Sequence, residues 1–157
     1  LYICDLDNFK PFNDYYGFRS GDRVIKLLAD ILEKAANRLG SEVFVGHIGG
    51  DDFFLGWKLS DNFDEAVAQV WKIVDKFGLD VQSFYSNKDR EKGHILAKDR
   101  NGVTREFPLL SVSCAMLLVD TNQERLYDEE IVAQTCAELK KHAKQHKGGS
   151  VALASLI

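Results

Sequence analysis

Apolar residues along this chain recur at two different intervals, and the changes of interval mark its elements. The opening run LYICDL is short, rich in strand formers and ends at acids, which predicts a strand. NFKPFNDYYGF after it predicts a short helical or irregular piece closed by Gly17. Val24, Leu27, Leu28, Ile31, Leu32 and Ala35 then step by three and four, as one buried face of a helix does. That helix is expected from about Ser20, whose hydroxyl is placed to cap it, to Gly40. EVFVGHI and DFFLGW predict two strands joined tightly at Gly49–Gly50. A second amphipathic helix is expected from about Asn62 to Phe77, with Phe63, Val67, Val70, Trp71, Val74 and Phe77 inward. SNKDREKGHILAKDRNGVTREF is polar and turn-rich, yet HILA and VTREF can pair across a KDRNG tip as one extra hairpin. PLLSVSCAMLLV predicts a central strand. A third helix, about Asp128 to His146, buries Val132, Cys136, Leu139 and Ala143, and SVALASLI supplies the closing strand.

This order predicts an α+β fold, an α/β sandwich in which helices cover a mostly antiparallel central sheet, with the extra β-hairpin beside it. No internal repeat interrupts it. The 157 residues, 45% of them hydrophobic, suit a single domain with a real core. The abrupt start inside a strand points to a fragment of a longer protein. A net charge of −4 argues against a surface built for polymeric nucleic acid. No apolar run approaches the roughly 20 residues that span a bilayer, and Asp5 and Asp7 set the opening apart from a signal peptide. Cys4, Cys114 and Cys136 lie far apart in apolar, periodic surroundings and read as reduced, buried thiols of a cytoplasmic protein.

The candidate chemistry sits where acids meet strand ends, in CDLDNFKPFND and in GGDDF. Neighbouring strands lie about 4.8 Å apart, so pairing of the first strand with the hairpin lets Asp5 and Asp51 face a common point. Two carboxylates that close repel unless a cation lies between them. Magnesium suits such a place, since it takes one or two protein carboxylates and leaves the rest to phosphates and water. Gly49 and Gly50 clear side chains from the approach. Lys10 can neutralise phosphate, and the N–H groups opening the short helix at Phe9 can cradle it. Taken singly, each segment also reads as ordinary helix capping or hairpin chemistry. Their joint occurrence, with Asn13, Gly17, Gly21 and Asp22 at set offsets, favours the site.

DLDNFKPFNDYYGFRSGD followed by GGDDF resembles the GGDEF family, the diguanylate cyclases, whose first segment runs D-x-D-x-F-K-x-x-N-D-x-x-G-H-x-x-G-D. The late AELKKHAKQHKGG is similar to the family's final helix. The resemblance implies a fold related to nucleotidyl-cyclase and polymerase palm domains, with GTP as substrate and Mg²⁺ (or Mn²⁺) as cofactor. It implies a second GGDEF domain as partner, so that two GTP condense to cyclic di-GMP. Asp5, the Leu6 carbonyl and Asp51 are then the metal ligands, and Asp51, Asp52 and Lys10 the catalytic set. Phe9, through its backbone, and Lys10 meet the phosphates, Asn13 and Asp22 read guanine, Gly49 and Gly50 shape the turn, and Lys144 matches the late phosphate lysine. The KDRNG hairpin resembles a subgroup attached to EAL and CBS domains.

Several positions depart from the family pattern. Asp52 stands where glutamate is usual and falls about 1 Å short, a misplacement that can cost about 100-fold in rate. His47 replaces an arginine, and a neutral imidazole is no substitute for a charged fork; it reads equally as a strand residue packed beside a helix. Phe18 replaces a histidine, Cys114 a glycine, and KQHKGGS lacks the late arginine, leaving Lys147 as a point charge. GSEV occupies the place of the R-x-x-D product-inhibition motif. A degenerate, GTP-binding regulatory module with little cyclase activity is therefore the alternative to a working cyclase.

Overall fold

The computed structural model describes residues 1–40, 42–58, 63–119 and 128–156. Five strands form the main sheet in the order β2-β3-β1-β6-β7: β1 (Tyr2–Asp7), β2 (Val43–Gly49), β3 (Asp52–Trp57), β6 (Ser111–Val119) and β7 (Ser150–Leu156). The strands β4 (His94–Lys98) and β5 (Thr104–Pro108) make the separate hairpin. Within the main sheet three pairings are antiparallel and β6–β7 is parallel. The α+β class and the extra hairpin expected from the sequence are both present.

Side chains alternate across β1, and that alternation builds the two layers. Tyr2, Cys4 and Leu6 enter the main core with Phe53, Leu55, Val112 and Met116. The long helix α2 (Phe18–Leu39) and α3 (Phe63–Asp80) cover this face, burying Val24, Leu28, Leu32, Val70, Val74 and Phe77. Ile3 joins Ala115 and Leu117 on the opposite face, beneath α5 (Glu129–Ala143) and its Cys136 and Leu139. Asp5 shares the parity of Ile3, so it faces α5 and not the main core.

The structure corrects four local expectations. The long helix starts two residues early, behind Gly17 at φ 86°, and Ser20 lies within it, its hydroxyl donating to the Tyr16 carbonyl at 3.1 Å. Trp71 is 42% exposed, while Ala66 and Ile73 take inward places on α3. The third amphipathic helix ends at Ala143, short of His146, after Asp128 caps it by accepting from the Glu130 N–H. Asn62, the expected start of the second helix, lies outside the described residues. Finally, Cys4 and Cys114 are not free thiols: they are register partners across β1 and β6, with Cα atoms 4.2 Å apart, and their sulfurs form a disulfide. Only Cys136 is a free buried thiol among the described residues.

The polar stretch before the hairpin contains a short helix, α4 (Asn87–Lys92), that apolar periodicity does not reveal. Its buried residue is Asp89, whose carboxylate accepts from the Tyr16 hydroxyl and from Ser86 Oγ at 2.9 Å. These bonds tie α4 to α1 (Phe9–Tyr16), the helix that follows β1.

Candidate active site

The ends of β1 and β3 carry the acids. Asp5 pairs with Asp52 in the β1–β3 register, and the Leu6 N–H donates to the Asp51 carbonyl at 3.4 Å. Thus Asp51 reaches β1 through its backbone, while Asp52 presents its carboxylate on the face that Asp5 shares. Asp5 is only 2% exposed. A charge so deep is costly unless compensated, and α5 supplies the compensation. Lys140 Nζ lies 2.5 Å from Asp5 Oδ2 and also pairs with Asp52 Oδ1. Lys144 Nζ lies 2.6 Å from Asp5 Oδ1.

Helix and strand periods explain this meshing. Four residues advance a helix by about 6 Å and two residues advance a strand by nearly 7 Å. The stripe Cys136–Lys140–Lys144 therefore keeps step with Ile3–Asp5–Asp7 closely enough to place an ammonium at the acids. Burial works against the charge on Lys140, but its bonds to Asp5 and Asp52 outweigh this and hold its pKa above the ordinary lysine value. Asp7, the next acid, accepts from Ser111 Oγ and Ser113 Oγ, each at 2.7 Å. Burial raises its pKa, against the pull of those hydroxyls and of Lys144.

The other expected residues flank this centre. Gly49 and Gly50 adopt φ 136° and 59° at the turn between β2 and β3, conformations that L side chains resist. The His47 ring stacks on Phe53 at 4.6 Å, and Nε2 is 3.0 Å from the Gly50 carbonyl oxygen. Phe9 opens α1 behind Asn8 in a left-handed conformation. Pro11 has no N–H, so Phe9 and Lys10 supply the free amides of that first turn. The Lys10 ammonium lies 2.6 Å from Asp14 in an exposed pair. Asp22 is exposed on the first turns of α2. Asn13 points its amide oxygen at Gly21, where that atom is buried without a hydrogen-bond partner.

The Asn13–Gly21 contact yields a sharp prediction. A Cβ at residue 21 would lie 1.7 Å from Asn13 Oδ1, so Gly21→Ala must turn the amide aside. That atom ends a flexible side chain, and alanine favours helix by about 0.5–1 kcal/mol over glycine. Thermal stability should therefore hold or rise, while GTP affinity falls about tenfold if this amide reads the base. A melting curve beside titration calorimetry with GTP checks both halves.

Asp5, Asp51, Asp52 and the Leu6 carbonyl are all hard oxygen donors, which suits Mg²⁺ or Mn²⁺. No group of three or more His, Cys, Asp or Glu side chains is gathered for a metal among the described residues. A protein-only cage is not required, because Mg²⁺ takes one or two carboxylates and fills its shell with phosphate and water. The donor set fits such an ion by its chemistry, while the positive charge at buried Asp5 is supplied here by Lys140 and Lys144.

Sequence reading missed Lys140, Ser111 and Ser113. The signal for Lys140 was its spacing of four from both Cys136 and Lys144, on the face that buries Cys136.

Comparison with known proteins supplies the family. The family described as "Diguanylate cyclase, GGDEF domain" matches residues 1–91. The diguanylate cyclase DgcS of Shewanella oneidensis is 43% identical over 53 residues, 34% of this chain and 17% of that protein. DgcZ of Escherichia coli, also named a diguanylate cyclase, is 29% identical over 110 residues, 69% of this chain and 33% of its own length. These matches span a third or less of each relative. Among solved structures, the coiled coil and GGDEF domain of DgcB from Caulobacter crescentus, in complex with c-di-GMP, superposes with a TM-score of 0.62 at 19% identity. The match covers 98% of this chain and 68% of that one, so the likeness of fold extends well past residue 91. With 91 of its 157 residues matched by the family and the fold shared with a solved GGDEF domain, this chain belongs to the GGDEF family.

Proposed function

We propose that this chain is a diguanylate cyclase-type domain that binds GTP with Mg²⁺ (or Mn²⁺) and, facing a second copy, joins two GTP into cyclic di-GMP. The observation that carries this reading is the buried Asp5 carboxylate beside the diglycine turn, at the joined ends of β1 and β3. Asp5, Asp51 and the Leu6 carbonyl would hold the ion. When bound, it lowers the pKa of the attacking hydroxyl and offsets charge on the phosphates. Each 3′-hydroxyl attacks the α-phosphorus of the other GTP; two P–O bonds form and two pyrophosphates leave.

The chain's own residues position these groups. The Phe9 and Lys10 amides and the Lys10 and Lys144 ammoniums meet the phosphates; both lysines must first leave Asp14 and Asp5, respectively. Asn13 and Asp22 hold the guanine, the amide reading one edge and the acid accepting from N–H groups that adenine lacks. Gly49 and Gly50 keep the approach clear, and Asp52 completes the acidic edge next to Asp51. We place the chain in the cytoplasm as one domain of a longer signalling protein, with EAL, CBS or other sensory domains as its covalent partners.

A fused dimer of the chain, given GTP and Mg²⁺ or Mn²⁺, should form cyclic di-GMP, and Asp51→Ala should reduce it to background. Equal product from the two proteins would refute this assignment of Asp51. A second reading, a GTP-binding regulatory module of little turnover, is favoured by the capture of Asp5 and Asp52 by lysines. It expects calorimetric GTP binding without product, and absence of GTP affinity would exclude both.

A further inference from the structure

Lys140 belongs to none of the roles assigned above, yet it bridges two strands of the site. Its ammonium joins Asp5 on β1 to Asp52 on β3, two carboxylates brought opposite each other by strand register. The helix beneath it is anchored by buried Cys136 and Leu139, one turn and one residue before it. Lys140 is itself 27% exposed, so its head can swing outward while α5 stays in place. Resting on the metal reading of Proposed function, we propose that Lys140 is a tethered cation that competes with the divalent ion for Asp5, and so weakens metal binding until it is displaced.

The physical argument is one of exclusion. An Mg²⁺ ion binds carboxylate oxygen at about 2.0–2.1 Å. On Asp5 Oδ2 it would stand within roughly 4 Å of an ammonium already bound there, and like charges that close repel strongly in a poorly solvated site. Removing Lys140 leaves Asp5 and Asp52 facing each other with less neutralisation, which favours a cation from solution. Lys144 remains on the other oxygen of Asp5, so the carboxylate keeps one partner and the helix one ion pair.

The test is Mn²⁺ titration of the whole chain without nucleotide, with free Mn²⁺ followed by electron paramagnetic resonance. Lys140→Met should tighten binding about tenfold or more, and Lys140→Gln, which keeps hydrogen-bond donors and loses only the charge, should do the same if the methionine variant folds poorly. Adding Asp5→Asn should abolish the gain. Binding that depends on Asp5 but is no tighter without Lys140 overturns this inference and leaves the metal reading standing. Binding that is absent from the variants, or indifferent to Asp5, overturns both.

Discussion

Asp5→Asn is expected to lower cyclic di-GMP formation by a fused dimer about 10²–10³-fold, measured by chromatography of the product at saturating GTP and metal. The substitution keeps shape and removes one negative charge from the point where the cation is held. A metal's stabilisation of transition-state charge amounts to several kcal/mol, and each 1.36 kcal/mol is tenfold in rate. Stability should change much less. Breaking a buried ion pair costs about 3–5 kcal/mol when the orphaned charge stays buried. Here Lys140 keeps Asp52, and the orphan is Lys144, whose side chain is 39% exposed and can turn to water. A loss of about 1–2 kcal/mol is therefore expected, read from the urea midpoint. Full activity in Asp5→Asn would remove Asp5 from the chemistry.

The candidate site was legible where it is local in sequence. Asp5, Leu6, Phe9, Lys10, Asn13 and Asp22 fall within one strand–helix–helix passage, and a run of fixed offsets records how that passage folds. The diglycine turn announces itself because only glycine adopts such angles without strain. The partners of Asp5 were hidden by distance along the chain. Lys140 meets Asp52 across 88 residues, and its spacing of four from Cys136 and Lys144 marks a helix face without telling which acid that face meets. Cys4 and Cys114 are separated by 110 residues; their opposition follows from the β1–β6 register, which no cysteine spacing encodes.

The fold shows the same division. Element order and class follow from apolar period, and the helix faces of α2 and α5 came through because wide apolar stripes define them. Trp71 misled because it fits the three-and-four step of Phe63, Val67, Val70 and Val74: the buried α3 stripe runs through Ala66, Val70, Ile73, Val74 and Phe77, and Trp71 lies to its side. The start of α2 was misplaced because Phe18, apolar yet exposed, and Arg19, also exposed, lie off the buried stripe that marks the helix. In α4 the buried side chain is an acid, so the periodicity that reveals helices has nothing to act on.

Phe12→Ala should be the most destabilising single change on α1, the helix proposed to meet the phosphates and the base, at about 3–5 kcal/mol. Phe12 is fully buried on α1, its ring 5.1 Å from that of Tyr16 and edge-on to that of Tyr85 at 5.3 Å. Tyr85 in turn accepts from the Leu110 N–H at 2.8 Å, immediately before β6. Tyr16 and Asp89 bond α1 to α4, so the aromatic cluster clamps α1 between the hairpin side and the sheet. Alanine would leave a cavity that three separate elements must collapse to fill, which places the cost high in that range. For a chain of this length about 2–4 °C accompanies each kcal/mol, so a fall in Tm near 10 °C is expected. A fall below about 3 °C would show that the cluster is not what holds α1 on the domain. The functional consequence should follow stability rather than chemistry: below the new midpoint, Phe12→Ala should retain measurable GTP binding, whereas Asp5→Asn should remain impaired at every temperature.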